Sequence, residues 1–515
     1  MPKPIDLTSA EFHLTSSLTE RRGRPDTHAV FRILVLGDFS AKHQSFDANR
    51  LAGPRLHPID RDDFDDVMAT LAPLAKLDGL GPAEDPLTIE FKELDDFHPD
   101  RLVERLEIFA AFRATRAALK DPATFTATAE KLQKNLLSSE QATDDQGRSA
   151  IPASLGQETE ADLLDRILTN SQPLEEMKEK HQPASDWDAY LNELVAPHLL
   201  PKPDPRREEL LAAVDEAAAE MLRLILHHPA FKALESAWRS LHLLVSCLET
   251  DETLKVYLLD VSKDGLVADL AGNDLSQSGL YRLLNQKRED SAVEERGVLV
   301  GHYHFSANSS DIDLLARLSI IARNVGCPFI GAAHESLIGC ERLAETPDPD
   351  DWTDFSETYR QAWNNLRELP SAAYLGLVLP RFLLRLPYGE ETDPLDSFEF
   401  SETDQPPNHE DYLWGNPAMV CALLLGQSFS SFGWDMSSNL CRELPGQPLH
   451  VYRDNGETLT KPCAEVYLSE RAAEKILQRG IMPLISPLHQ DSVSFPWFIS
   501  LSADPCFPAG LGGDE

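Results

Sequence analysis

His302 and His304 stand two apart in 298–305, a run that reads as a strand, so both rings point to one face. Asp311 and Asp313 follow, and imidazoles with carboxylates are the donor types of a metal centre. The preferred reading is plainer: a solvated strand face leading into an acidic turn. Ser428 sits in Gly426-Gln427-Ser428-Phe429-Ser430, near a nucleophile elbow but without its closing glycine. His227-His228-Pro229 ends a helical run, where imidazoles suit the negative end of the helix dipole better than a metal. Asp95-Asp96 have the look of a carboxylate pair, yet their place before a helix makes them caps first. There is no GxxxxGK[ST] loop, no GxGxxG and no HExxH; His334-Glu335-Ser336-Leu337-Ile338 fails at the last position. No catalytic residue, metal centre or cofactor is expected. A cytosolic hydrolase using Ser428 or the His302/His304 pair is only a remote alternative.

Other residues suit binding better than bond-making. Arg381 and Arg385 lie four apart in the apolar run Arg381-Phe382-Leu383-Leu384-Arg385-Leu386-Pro387-Tyr388-Gly389. Tyr412-Leu413-Trp414-Gly415-Asn416-Pro417 precedes a helix through Leu425, and Phe429, Phe432 and Trp434 follow it. A guanidinium among apolar side chains must meet carboxylates, either in its own chain or across an interface. Without a catalytic signature, that composition leans towards assembly.

The elements that must position these groups fall into an α/β mixed pattern, two α/β domains joined by a polar linker. Residues 1–30 form a polar N-terminal arm, with Phe12 and Leu14 alternating as in a possible edge strand. Residues 31–120 read as a small domain: a buried strand at 31–40, a helix at 60–71, a strand at 87–91 and a long helix at 100–120. A linker over 121–205 carries a short amphipathic helix, 160–168, with Leu163, Leu164, Ile167 and Leu168 as its stripe. Residues 206–502 form a larger domain, with helices at 206–226, 231–247, 276–285 and 312–325 between strands at 254–260, 298–305, 327–333 and 373–379. A loose tail, 503–515, closes the chain.

Of the 515 residues, 47 are Lys or Arg and 85 Asp or Glu, a formal charge of −38. Such a balance opposes binding to nucleic acid phosphates or to an anionic membrane surface. With 42% hydrophobic residues the chain can still bury a core. Seven scattered cysteines without a CxxC, and no apolar run long enough for a signal or a membrane span, point to a soluble cytoplasmic protein without membrane insertion.

Residues 31–120 resemble the small subunit of the type VI secretion contractile sheath (TssB-like). The segments Ile33-Leu34-Val35-Leu36-Gly37-Asp38-Phe39, Asp63-Phe64-Asp65-Asp66-Val67-Met68 and Phe91 through Asp100, including Asp96 and Phe97, carry the likeness. Residues from about 160 to 500 resemble the large subunit (TssC-like), through Ile225-Leu226-His227-His228-Pro229, Leu234-Glu235-Ser236-Ala237-Trp238-Arg239, the Arg381–Gly389 run and Tyr412-Leu413-Trp414-Gly415-Asn416. The resemblance implies a fused sheath protein that assembles with itself or other sheath subunits around an inner tube protein, attaches to a baseplate, and drives the tube out by contraction. It makes Asp38, Phe39, Asp96, Phe97, Trp238, Arg239, Arg381, Arg385, Tyr388, Trp414 and Asn416 assembly or structural residues. It also makes 160–168 similar to the segment that a sheath-recycling AAA+ unfoldase grips. The large subunit normally continues beyond the region matching Gly480-Ile481-Met482-Pro483-Leu484. A shortened C-terminus leaves open an alternative, a non-polymerising sheath-like accessory at the baseplate or sheath end.

Overall fold

The computed structural model describes residues 29–43, 55–80, 85–132, 206–285 and 295–511. Its centre is a seven-stranded sheet of β1 (Val30–Gly37), β2 (Leu56–Pro58), β3 (Leu254–Asp260), β4 (Glu295–Phe305), β5 (Phe329–Ala333), β6 (Leu375–Leu379) and β7 (Met482–Pro483), in the order β7-β6-β5-β4-β1-β3-β2. All neighbours run parallel except β2, which is antiparallel to β3. From the central β1 the chain goes to β2 at one edge, returns to β3 between them, crosses to β4 on the other side of β1, and then builds outwards. That is the logic of a doubly wound sheet.

β1 shows why such a sheet needs near-continuous hydrophobic strands. Phe31, Ile33 and Val35 belong to one buried cluster, while Leu34 and Leu36 belong to the cluster on the opposite face. The first face is covered by α4 (Arg206–Leu226), α5 (Pro229–Ser246) and α7 (Pro417–Phe432), reached after α1 (Phe64–Leu71), α2 (Pro99–Arg105) and α3 (Ala110–Lys120) have been laid down. The second face is covered by α6 (Ser309–Val325) and by shorter helices, 263–269 and 279–285 among them. α7 lies close to β1 because Gly426 carries no side chain: a Cβ there would stand 2.9 Å from Leu248 and 3.1 Å from Ile33. The glycine of the elbow-like sequence thus serves packing.

Several expectations change. Among its described residues the 31–120 stretch has no sheet of its own beyond the hairpin of 74–77 and 87–90; its main strand is the centre of a sheet otherwise built by the large region and β2. The boundary at 120/206 therefore follows the chain and not the sheet. The helix expected over 100–120 is broken at Leu106, whose ψ of 133° is extended, and the turn that follows sinks Phe109 fully into the core. The tail is not loose up to 511. Ala503 and Ala509 donate backbone hydrogen bonds to Arg367 and Ala373, and Leu511 is buried. The 160–168 stripe and the arm before Ala29 lie outside the described residues.

Candidate functional site

Two charge networks form where the loop after β6 crosses α5, each built around one of the arginines spaced four apart. α5 places Glu235 and Arg239 one helical turn apart, and Arg239 Nε donates to Glu235 Oε1 at 2.7 Å. Arg385 donates to Glu235 at 2.8 and 3.3 Å and to Glu402 at 2.7 and 3.0 Å. Glu402 also accepts the Tyr388 backbone N–H, and the Tyr388 hydroxyl accepts from Arg239 at 3.0 Å. The Arg385 guanidinium lies over the Tyr388 ring, 4.2 Å from its centroid. Glu235 has no exposed surface. Burial alone would raise its carboxyl, but Arg385 and Arg239 override it and hold the group ionised, below its ordinary range. Burial pushes the Tyr388 phenol up to about 12, against the lowering influence of Arg385 and Arg239.

Arg381 makes the second network with Glu465, Nε to Oε2 at 3.1 Å and Nη2 to Oε1. His409 Nε2 meets the same Glu465 Oε1 at 2.9 Å, and its Nδ1 faces Lys461 Nζ at 2.7 Å. Trp414 and Tyr412 line this cluster: Arg381 and Lys461 lie 5.8 and 5.5 Å from the Trp414 centroid. Burial lowers Lys461 to about 8. Glu465, which burial alone would raise, falls to about 2 through His409 and Arg381. A crevice of about 310 Å³ opens beside it at the carboxyl end of β4, β5 and β6, lined by His304, His334, Glu335 and Glu410 among others.

The arginines thus find their carboxylates inside the chain. Of the two alternatives left by the sequence, the internal pair holds. Asn416 caps α7, accepting from Ala418 N and donating to Tyr303 O. The Trp414 carbonyl accepts from Ser236 at 2.8 Å. Phe39 packs edge-on against Trp238, whose indole N–H donates to the Phe39 carbonyl at 2.8 Å, while the Asp38 carboxylate faces His43. Asp96 accepts from Lys92 N at 2.7 Å and pairs with Arg105, closing a short turn; Phe97 stacks on Phe91. Capping was the right role for Asp96, but α2 itself is capped by His98. Similarly, His228 caps the start of α5 through Ala230 N rather than serving the end of α4.

The candidate chemistry does not come together. Asp311 is held by Lys263 at 2.6 Å and by Ser306 N, and Asp313 by Arg317. His302 packs beside Phe39 and is lowered to about 4 by burial. Among the described residues no His, Cys, Asp and Glu group could hold a metal ion. Ser428 is fully buried within α7, donating to Leu424 O and accepting from Cys441 N. Both partners are backbone groups.

Residues 208–502 match the family model described as VipB (EvpB), tail sheath N-terminal domain, which covers more than half of the chain. The chain belongs to the type VI secretion tail-sheath family. Residues 23–151 match a second model, described as type VI secretion system VipA, so the chain is a fusion of VipA/TssB-like and VipB/TssC-like sheath regions. Among curated proteins it is similar to the type VI secretion system sheath protein TssC1 of Pseudomonas aeruginosa, 36% identical over 301 residues, which is 57% of this chain and 60% of that protein. The chain thus spans about three fifths of that relative's length. It is a sheath-type structural protein. No helix among the described residues is long and apolar enough to cross a membrane.

Sequence reasoning named the arginines and aromatics but missed the carboxylates. Glu235 was findable, since it precedes Arg239 by four residues on a helix. Glu402 and Glu465 gave no local signal, because Arg385 and Arg381 lie 17 and 84 residues away, beyond any helix or strand spacing.

Proposed function

We propose that this chain is a one-piece protomer of a type VI-like contractile sheath, polymerising around an inner tube in the cytoplasm and ejecting it on contraction. The observation that carries this reading is β1: a strand from the VipA-matching region lies hydrogen-bonded between β3 and β4 of the VipB-matching region. What two separate sheath subunits would bring together, this chain holds in one sheet. Its role is assembly rather than catalysis, in keeping with the family and with Ser428 and Asp311 being engaged in structural bonds. The −38 charge suits a basic tube surface. A baseplate and an AAA+ unfoldase acting on 160–168 complete the set of partners this reading implies.

Negative-stain electron microscopy of the purified chain, alone and with its co-encoded tube protein, tests it. Tubes or rings in either sample are expected. Discrete monomers or dimers in both would contradict polymerisation and favour a sheath-like accessory.

A further inference from the structure

Lys461, His409 and Glu465 form a chain of three titratable groups. Lys461 Nζ meets His409 Nδ1 at 2.7 Å, and His409 Nε2 meets Glu465 Oε1 at 2.9 Å. Glu465, ionised beside Arg381, can only accept, so His409 Nε2 carries a hydrogen. The Nζ–Nδ1 contact then has room for one hydrogen, and one of its two nitrogens must offer a lone pair. The pair therefore holds one proton fewer than two separate cations would. A proton shift along this contact leaves Lys461 as a free amine. Lys263 differs, because Asp311 at 2.6 Å fixes it as a charged ammonium. Lys461 ends the strand Glu457–Lys461 and is partly exposed, while burial of the rest of it lowers it from the ordinary 10.5 to about 8.

The surroundings select the electrophile such an amine would meet. Lys461 Nζ lies 5.5 Å from the ring centroids of both Tyr412 and Trp414, which offer flat apolar walls. Glu335, Glu410 and Glu465 line the adjoining crevice together, and their charge opposes an anionic reagent. A reaction that made Lys461 a neutral amide would take a cation away from these carboxylates. Condensation with an aldehyde keeps the cation, because its product is an iminium.

We propose that Lys461 is a reversible capture site for small neutral aldehydes, with His409 as its proton partner. The Nζ lone pair attacks the carbonyl carbon, and a C–N bond forms as the carbonyl π electrons move to oxygen. Two protons pass from nitrogen, through His409 Nδ1, to that oxygen. It leaves as water as the C=N bond forms. Ammonium and aldehyde thus become iminium and water, with atoms and charge balanced and no oxidant or reductant needed. One N–H remains on the iminium to face His409. The site lies within one chain and stands or falls separately from the sheath reading.

Reductive trapping on the full chain tests it, with benzaldehyde and cyanoborohydride near neutral pH and peptide mass mapping as the readout. In the native chain Lys461 is expected to gain the benzyl group about tenfold or more faster than Lys42, Lys76 and Lys92. His409→Gln should slow trapping at Lys461 about tenfold, while unchanged rates at the other three lysines show that the variant is folded. Trapping at Lys461 no faster than at Lys42 in the native chain overturns the inference without any variant. So does fast trapping that survives His409→Gln, which would assign the reactivity to burial alone.

Discussion

Arg381 and Arg385 come from the same short run, yet they occupy opposite kinds of site. Arg385 is sunk between Glu235 and Glu402, with Arg239 completing two cations against two carboxylates. Its side chain is 11% exposed and Glu235 not at all. Arg381 is 30% exposed and opens onto a crevice where Glu335 and Glu410 add to Glu465. The balanced site ties α5 to the loop after β6 and holds the fold. The unbalanced one leaves carboxylates short of cations at the carboxyl ends of the strands. One sequence pattern yields both because the counter-charges come from elsewhere in the chain.

The comparison can be broken most severely at Glu235. Glu235→Ala leaves Arg385 and Arg239 under-compensated in the core and should cost about 3–5 kcal/mol in denaturant unfolding. The double change Glu235→Met, Arg239→Met should recover part of that loss, because Arg385 then keeps Glu402 as its partner and no cation is left over in the core. A loss as large as the single variant's would mean that packing, not charge, holds this junction. At the open site, Arg381→Met leaves Glu465 with His409 and Lys461 nearby, so about 1–3 kcal/mol is expected. Equal costs at the two arginines would erase the distinction.

Two pH effects sharpen it further. Glu465 is lowered to about 2, so its contribution is complete above its ordinary value of 4.5 and is lost as pH falls through about 2. Relative to the native chain, Glu465→Gln should therefore recover stability progressively in acid scans below pH 4.5. Glu335 behaves oppositely. Burial first, and Glu465 second, raise its carboxyl to about 7, so the fold favours the protonated form and loses stability as pH rises from 4.5 towards 7. Glu335→Gln should gain in denaturation midpoint over the native chain at pH 8 and not at pH 4, the smallest of these effects. An unchanged difference between the two pH values would show that the crevice does not strain this carboxyl.

The sequence made the strands most legible. The run through Leu254–Asp260 and the β1 alternation were readable because a strand covered on both faces must be apolar throughout. The placement of β1 among strands more than 200 residues away was not readable, since no local pattern encodes a parallel neighbour. At the candidate site, Arg381, Arg385, Trp414 and Asn416 stood out by type and setting. The internal destination of both arginines did not, because Glu402 and Glu465 look like any exposed glutamate until the fold buries them. His98 and His228 were likewise hidden as caps, a role more often filled by Ser, Thr, Asp or Asn.

The central claim is that the VipA-like and VipB-like regions form one folded body through β1. It is tested most directly by inserting a protease site near residue 150, cutting the purified chain there, and following the two pieces by gel filtration and thermal unfolding. The account predicts a persistent one-to-one complex that melts in a single shared transition. Pieces that separate without denaturant, or that melt independently, would contradict it.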